Sequence, residues 1–432
     1  MHRIIIFCLL IPGLALSACS RAEQAAPDAR TAKSTAAICE QDGGGISVPA
    51  GFCIQVFADD LGRVRHIAAA PDGRLFAILR SASEGHGLVA LRDADGDGKA
   101  ETIHRFGNLT GTGIRVHDGR LYASSDTAVY RWRLPDDGLE PTGEPELVVG
   151  GFPEQGQHAA KSLAIGDGKL YVNVGAPSNA CMEQTRTKGS PGMDPCPLLE
   201  GHGGIWRFDA NATGQSYSPA RRFVTGIRNA VALAWNPTVG ELYLVQHGRD
   251  QLHGLFPDLY SVEDSAELPA EEMFRVNEGD NFGWPYCYYD QRQGKKLLAP
   301  EFGGDGKSVG RCDKYERPII AFPGHWAPNG LMFYTADAFP AHYRNGAFIA
   351  FHGSWNRAPE PQAGYKVVFV PFDGPLPAGG YETFASGFAG ADSIASPSQA
   401  EYRPMGLVQG PDGALYVGDT EKGRIWKITY MR

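Results

Sequence analysis

Four residues capable of binding an anion or moving a proton stand at one phase of a repeated turn. His158 lies nine residues before Asp167 of an Asp-Gly turn, Arg403 nine before Asp412 of another, and Asn229, with Arg228 beside it, nine before Thr238 of a Pro-Thr turn. An imidazole accepts a proton near neutral pH, and a guanidinium fork pairs bidentately with carboxylates. Together in a concave site they suit a small anionic ligand and a proton-transfer reaction. Taken singly, each has a plainer reading, as a hydrogen-bonded structural histidine or an arginine paired with a loop carboxylate. The shared phase joins them, and it demands a fold that brings distant segments to one place.

That fold is written in the repeat. Turns separate alternating apolar runs in residues 67–76, 114–122, 163–171, 233–243 and 407–416, and a sixth, divergent copy with a longer turn lies between Asn329 and Phe351. Asp-Gly flanked in this way is a strong hairpin signal. With 55 Gly and 30 Pro in 432 residues, the chain favours many short strands. Its 43% apolar content is ample for a large core. A four-stranded sheet cannot bury both faces alone, whereas sheets packed around an axis can, so the sequence predicts an all-β, six-bladed β-propeller with loop insertions between strands. A pair of β-sandwiches is the alternative. Residues 423–430 are expected to close the ring beside an N-terminal strand around residues 52–57. Residues just before each innermost strand would then meet at one mouth of the central channel.

Forty Lys+Arg against 49 Asp+Glu give a net charge of −9, and no basic run is present, which argues against nucleic acid as a partner. Residues 1–18 read as a lipoprotein signal peptide, with a basic start, an apolar run over residues 4–16 and the ending Leu16-Ser17-Ala18-Cys19. The run is too short to span a bilayer, and no later stretch approaches about 18 unbroken apolar residues. The ending resembles a bacterial lipobox, which implies a lipid on Cys19; Ser20 in place of Asp points to the outer membrane, facing the periplasm. Ordinary secretion after Ala18 is the alternative. Residues 19–38 read as a flexible tether and residues 39–432 as the propeller domain. Beyond the signal stand Cys39, Cys53, Cys181, Cys196, Cys287 and Cys312, an even set that in an exported chain suggests disulfides. Pairing in sequence order, Cys39–Cys53, Cys181–Cys196 and Cys287–Cys312, is one of fifteen connectivities. No Cys-x-x-Cys spacing supports zinc, and no Cys-x-x-Cys-His supports haem.

The segments Phe223-Val224-Thr225-Gly226-Ile227-Arg228-Asn229, Asp280-Asn281-Phe282-Gly283-Trp284-Pro285, Ala327-Pro328-Asn329-Gly330 and His352-Gly353-Ser354-Trp355-Asn356-Arg357 resemble the soluble glucose/sorbosone dehydrogenases and the related pyranose dehydrogenases. These are quinoproteins using pyrroloquinoline quinone (PQQ) on a six-bladed propeller, and the resemblance covers most of residues 50–432. It implies oxidation of an aldose or related sugar, with electrons passed to an external acceptor. PQQ is a flat tricarboxylate with an electrophilic quinone that carries the redox chemistry. By this resemblance His158 is the general base that removes the sugar hydroxyl proton while hydride passes to the quinone, a role worth about 10²–10⁴-fold. Arg228 and Asn229 match the pair that holds the quinone oxygens, and Arg403 matches a carboxylate-binding arginine. Residues 245–250 align with a loop whose backbone carbonyls bind Ca²⁺, a role that falls to Gly248 and Arg249.

The chain departs from the family pattern at several positions. His158-Ala159-Ala160-Lys161-Ser162 replaces His-x-Gly-Gly-Arg, making Lys161 the candidate to supply the missing charge to the cofactor. Arg249 stands for the usual proline, Glu401 for a second arginine, and the family's cofactor-contacting lysine aligns near Ser354 to Arg357, where there is no lysine. These departures point to the sorbosone or pyranose branch. A metal-dependent propeller lactonase would instead need carboxylates and Asn at the axis, and a non-catalytic sugar-binding propeller would share the fold. Asp93, Asp95, Asp97 and Glu101 alternate as in a calcium loop, but the twelfth position is His104, so this is not an EF-hand. A solvated blade-edge turn is preferred there over a structural calcium.

Overall fold

The computed structural model describes residues 43–431; the expected signal peptide and tether, with Cys19 and Cys39, lie outside them. Hairpin chemistry sets the architecture. At Asp118-Gly119 and Asp167-Gly168 both turn residues take positive φ, 45° and 67° in the first and 50° and 67° in the second. Paired positive φ values match the right-handed strand twist, which makes these turns stable connectors.

Six four-stranded antiparallel blades result, each running outward from the axis. Blade 1 is Val64–Ala69, Leu75–Ser83, His86–Arg92 and Thr102–Phe106. Blade 2 is Ile114–His117, Arg120–Ser124, Ala128–Arg133 and Thr142–Gly150, with Gln215–Ser216 added in parallel at its edge. Blade 3 is Leu163–Gly166, Lys169–Val174, Gly204–Asp209 and Arg222–Thr225. Blade 4 is Ala232–Asn236, Glu241–Gln246, Glu271–Val276 and Ile320–Phe322. Blade 5 is Pro328–Phe333, Ala347–Phe351, Lys366–Val370 and Glu382–Ala385. Blade 6 joins Pro404–Gln409, Leu415–Asp419 and Ile425–Tyr430 to the N-terminal strand Phe52–Ala58, which pairs with Ile425–Tyr430 as expected and closes the ring.

Apolar clusters between successive blades hold the ring, and the closure carries a dense one. Phe52 meets Phe339, Tyr343 and Phe384 edge-on at centroid distances of 4.8, 5.2 and 5.0 Å. Trp426 is fully buried, and its indole N–H donates to the Gly43 carbonyl at 2.9 Å. Trp426→Ala is therefore expected to cost about 3–5 kcal/mol, read as a lower denaturant midpoint.

Two insertions rise from blades 3 and 4, over residues 175–203 and 277–319. Each is closed by a disulfide, Cys181–Cys196 and Cys287–Cys312, in the order expected. Cys53 is also disulfide-bonded, while its expected partner lies outside the described residues. The insertions share one apolar cluster containing Cys181, Cys196, Trp284, Tyr286 and Cys312. Their joint packing makes them a single support beside the propeller mouth. At the edge of blade 1, ligand oxygens of Asp93, Asp95, Asp97 and Glu101 lie within 4.8 Å of one another, and Asp93 accepts the N–H groups of Gly96 and Gly98. No helix among the described residues is long and apolar enough to cross a membrane.

Candidate active site

His158, Arg228, Asn229 and Arg403 each precede the innermost strand of a blade, so all four reach the same mouth. There a cavity of about 340 Å³ is lined by His158, Asn229, His247, Asn329, Arg65 and Asp126, among others. A comparable cavity of about 350 Å³ opens at the turn end of the inner strands, lined mainly by apolar residues such as Trp235, Met332 and Leu407. The chemistry belongs to the first.

His158 occupies a left-handed backbone conformation with φ of 54°. The Gln155 amide nitrogen holds that turn, lying 2.8, 3.0 and 2.9 Å from the carbonyls of Gln157, His158 and Gly175. His158 Nδ1 is 2.5 Å from the Ala176 carbonyl, which can only accept, so Nδ1 carries the proton and Nε2 keeps its lone pair. Burial, reinforced by the Arg228 guanidinium, pushes this imidazole down to about 3. The ring is thus neutral across the physiological range.

Arg228 is buried and held from two sides. Its Nε and Nη2 donate to the carbonyl and side-chain oxygen of Asn179 at 3.2 and 3.1 Å, and Nη2 also reaches Asp250 Oδ2 at 2.6 Å. The same Asp250 oxygen is 2.6 Å from Arg186 Nη2, and Asp250 Oδ1 accepts from Asn356 at 2.9 Å. Two guanidiniums around one carboxylate leave a net positive charge at the mouth. They also hold Asp250 well below the usual carboxylate range against the opposing effect of burial. The Asn229 side chain accepts from Asn173 at 3.1 Å, and its amide nitrogen stands 3.5 Å from His247 Nδ1. His247 Nε2 lies 3.0 Å from both the Pro328 carbonyl and Asn329 Oδ1, linking blades 4 and 5.

Other expected residues take less exposed positions. The Lys161 side chain is completely buried, its Nζ donates to the Ala159 carbonyl at 2.6 Å, and burial pushes it down to about 8. It stands outside the lining of the cavity. Arg403 directs Nε and Nη2 to the carbonyls of His352 and Gly353 at 3.1 and 2.6 Å, and Nη1 lies 3.4 Å from Glu421. Arg249, in place of the family proline, turns away to a buried ion pair with Glu301 at 2.7 Å. The carbonyls of Gly248 and Arg249 accept no hydrogen bond among the described residues, while Glu271 fixes the loop by accepting the Gly248 and Ala327 N–H groups at 2.9 and 3.1 Å.

Sequence reasoning missed Arg65, Asn179, Arg186, His247, Asp250, Glu271 and His352. The phase rule gives Arg63 in blade 1, which lies near Glu421 at the surface. Arg65, two residues further on, lines the cavity instead. Arg65 is buried, donates to Thr112 Oγ1 at 3.3 Å and has no carboxylate partner within ion-pair distance among the described residues. Its neighbour across the mouth, His352, is buried with an unpartnered Nε2. Both were visible only as residue types in sequence.

A ring of blades presenting an imidazole base, a buried arginine outside ion-pair distance of any carboxylate and a cluster of further guanidiniums at one mouth defines a propeller built for an acidic ligand and proton transfer. The TrAA12-like family model matches residues 46–431, and the chain belongs to that family. The chain is 25% identical over 438 residues to a pyrroloquinoline quinone-dependent pyranose dehydrogenase of Coprinopsis cinerea, covering 89% of this chain and 55% of that protein. It therefore spans about half the length of that curated relative. It is 23% identical over 411 residues to an uncharacterized protein of Borreliella burgdorferi, covering 90% and 91% of the two chains. Among solved structures, the holo form of the Coprinopsis cinerea pyranose dehydrogenase PQQ domain superposes with a TM-score of 0.71 at 20% identity, covering 89% of this chain and 97% of that one. The calcium structure of a Trichoderma reesei carbohydrate-active enzyme of family AA12 gives 0.71 at 19% identity over the same shares.

Proposed function

We propose that this protein is a PQQ-dependent dehydrogenase of a pyranose or related sugar, exported to the periplasm and anchored there through a lipid on Cys19. The observation that carries the catalytic reading is His158 with its free Nε2 on a cavity whose wall also holds Asn229 and Arg65, with Arg228 immediately behind. The residues fit the cofactor chemically. Arg65 has no carboxylate within ion-pair distance among the described residues, Asp126 of the same cavity acting on it from farther off, and the orphaned Nε2 of His352 lies buried nearby, so an acidic cofactor would give these groups the close partners they lack. The unbonded carbonyls of Gly248 and Arg249 are hard oxygen donors of the kind Ca²⁺ takes.

When bound, PQQ supplies the two-electron acceptor for hydride from the carbinol carbon of the sugar. The protein's own part is proton and charge management. His158 Nε2 accepts the hydroxyl proton, and the Ala176 carbonyl, fixed on Nδ1–H, holds the ring and stabilises the imidazolium that forms. Arg228, kept in place by Asn179 and Asp250, and the Asn229 amide stabilise negative charge developing at the cavity. A metal-dependent hydrolase is not favoured, because the metal-competent carboxylate group found among the described residues lies at the edge of blade 1, away from the axis.

The reading is tested by titrating purified apoprotein with PQQ in the presence of Ca²⁺ and following dye reduction with a panel of aldoses. Saturable cofactor uptake and sugar-dependent reduction are expected; no uptake would overturn the proposal. Arg403→Ala is expected to weaken PQQ binding about 10-fold or more, the usual effect of losing a charge-assisted hydrogen bond.

A further inference from the structure

The blade-4 insertion contains a buried lysine that the proposed mechanism does not use. Lys296, on the hairpin strand Lys295–Leu298, is 2% exposed, and Cys287 on the paired strand is tied to Cys312. Lys296 Nζ donates to the Phe282 carbonyl at 2.6 Å, stands 3.2 Å from Glu272 Oε2 and lies over the Phe274 ring at 5.1 Å. Glu272 Oε1 accepts from Gln246 Nε2 at 2.9 Å, and Gln246 Oε1 accepts the backbone N–H of Arg228 at 3.1 Å. The line continues beyond Arg228. The Arg228 carbonyl accepts the Ala176 N–H at 2.8 Å, and the Ala176 carbonyl accepts from His158 Nδ1 at 2.5 Å.

We propose that Lys296 is a positioning residue for both Arg228 and His158, acting through Glu272 and Gln246. This inference rests on the functional reading above for its importance to the reaction, but not for its geometry. The polarity of each link fixes the next. An ammonium only donates, so Lys296 draws Glu272 Oε2 and leaves Oε1 to accept. Gln246 must then present its NH₂ to Glu272 and its oxygen to the Arg228 N–H. With the amide reversed, Gln246 would set its NH₂ against the Arg228 N–H, donor against donor, and its oxygen against Glu272 Oε1, acceptor against acceptor. The ion pair therefore selects one orientation of a glutamine whose oxygen holds the peptide unit that carries Arg228. Stability alone does not account for such an arrangement, because a buried ion pair is commonly no more stabilising than an apolar pair of the same volume. A direct line to the catalytic cation and base, an ion pair followed by hydrogen bonds, gives it a purpose. Positioned groups lose much of their effect when displaced by an ångström.

The test compares Lys296→Met, Lys296→Arg and the double variant Lys296→Met/Glu272→Gln. The double variant leaves no lone buried charge and removes the carboxylate that holds the Gln246 NH₂. Crystal structures of the apoproteins report the place of Arg228, titration reports PQQ affinity, and single-turnover mixing with sugar reports reduction of bound PQQ against the sugar KM. In the Met-containing variants that fold, Arg228 is expected to leave Asp250 and Asn179. PQQ affinity and the single-turnover rate are each expected to fall about 10-fold, as for loss of one strong hydrogen bond, while KM changes less than about twofold. Lys296→Arg should keep wild-type values. Arg228 unmoved in the double variant with unchanged PQQ affinity would overturn the inference, as would Arg and Met variants that behave alike. Should wild-type protein take up no PQQ, the functional reading fails while the crystallographic comparison still decides this one.

Discussion

His158→Asn is expected to retain PQQ and lose turnover by about 10²–10⁴-fold, the ordinary worth of a positioned general base. The asparagine amide can donate to the Ala176 carbonyl as Nδ1 does now, so the loop over residues 155–158 keeps a partner. What it lacks is an accessible basic nitrogen in the place of Nε2. Cofactor affinity should hold because Arg65 on the cavity wall, and Arg228 and Arg403 outside its lining, are held by contacts that do not involve the imidazole. Stopped-flow reduction of bound PQQ by saturating sugar measures the step directly. Turnover within about tenfold of wild type would remove His158 from the mechanism.

Acid is expected to unfold the apoprotein well above the pH at which carboxylates ordinarily titrate. His66 and His158 are each pushed down to about 3 by burial and neighbouring arginines, His247 to about 4 by burial and Arg228, His352 is pushed well below its usual value, and burial also lowers His325 and His202. Below about pH 6.5 the unfolded chain binds protons at these six imidazoles that the folded chain refuses, so stability falls as pH falls. Three buried carboxyls oppose this: Glu271, pushed up to about 8, and Glu272 and Asp419, also raised, all by burial, bind protons in the folded state first. The imidazoles outnumber the carboxyls, so stability is lost between about pH 6.5 and 4.5 at about 1.4 kcal/mol per pH unit for each proton by which the unfolded chain leads. Below that range the unfolded carboxyls protonate as well, the opposition ends, and the slope steepens. Asp250 adds to the loss, since its depressed folded value supplies stability present above the unfolded carboxylate range and lost as pH falls further. Against a typical total of about 5–15 kcal/mol, two pH units are decisive. Denaturant unfolding of apoprotein between pH 8 and 4 checks this; stability that is flat or rising on acidification would contradict the placement of these imidazoles.

Much of the fold was legible because hairpins are local. An Asp-Gly turn between alternating apolar residues dictates its two strands without reference to the rest of the chain, and repetition of that unit implies a ring. The phase of His158, Asn229 and Arg403 relative to their turns was readable for the same reason, since strand length is nearly constant between turn and mouth. Phase counting failed in blade 1, where Arg65 rather than Arg63 lines the cavity, although blades 1 and 6 share the same register shift at the start of the inner strand. Which residue of that stretch reaches the channel is decided by packing between neighbouring blades, which has no local signature.

The identity of the fold, the closure by the N-terminal strand and the placement of His158, Arg228, Asn229 and Arg403 at one end of the inner strands were thus legible in the amino-acid sequence alone. Tertiary structure alone decided what holds them. Asp250 unites Arg228, Arg186 and Asn356 from segments up to 170 residues apart, and Lys296 reaches Arg228 through two intermediaries. Such contacts depend on buried directions and distances between insertions that share no sequence period. Their polarity is set by whatever donor or acceptor the folded chain places opposite, which is why residue spacing could locate the reactive groups but not their supports.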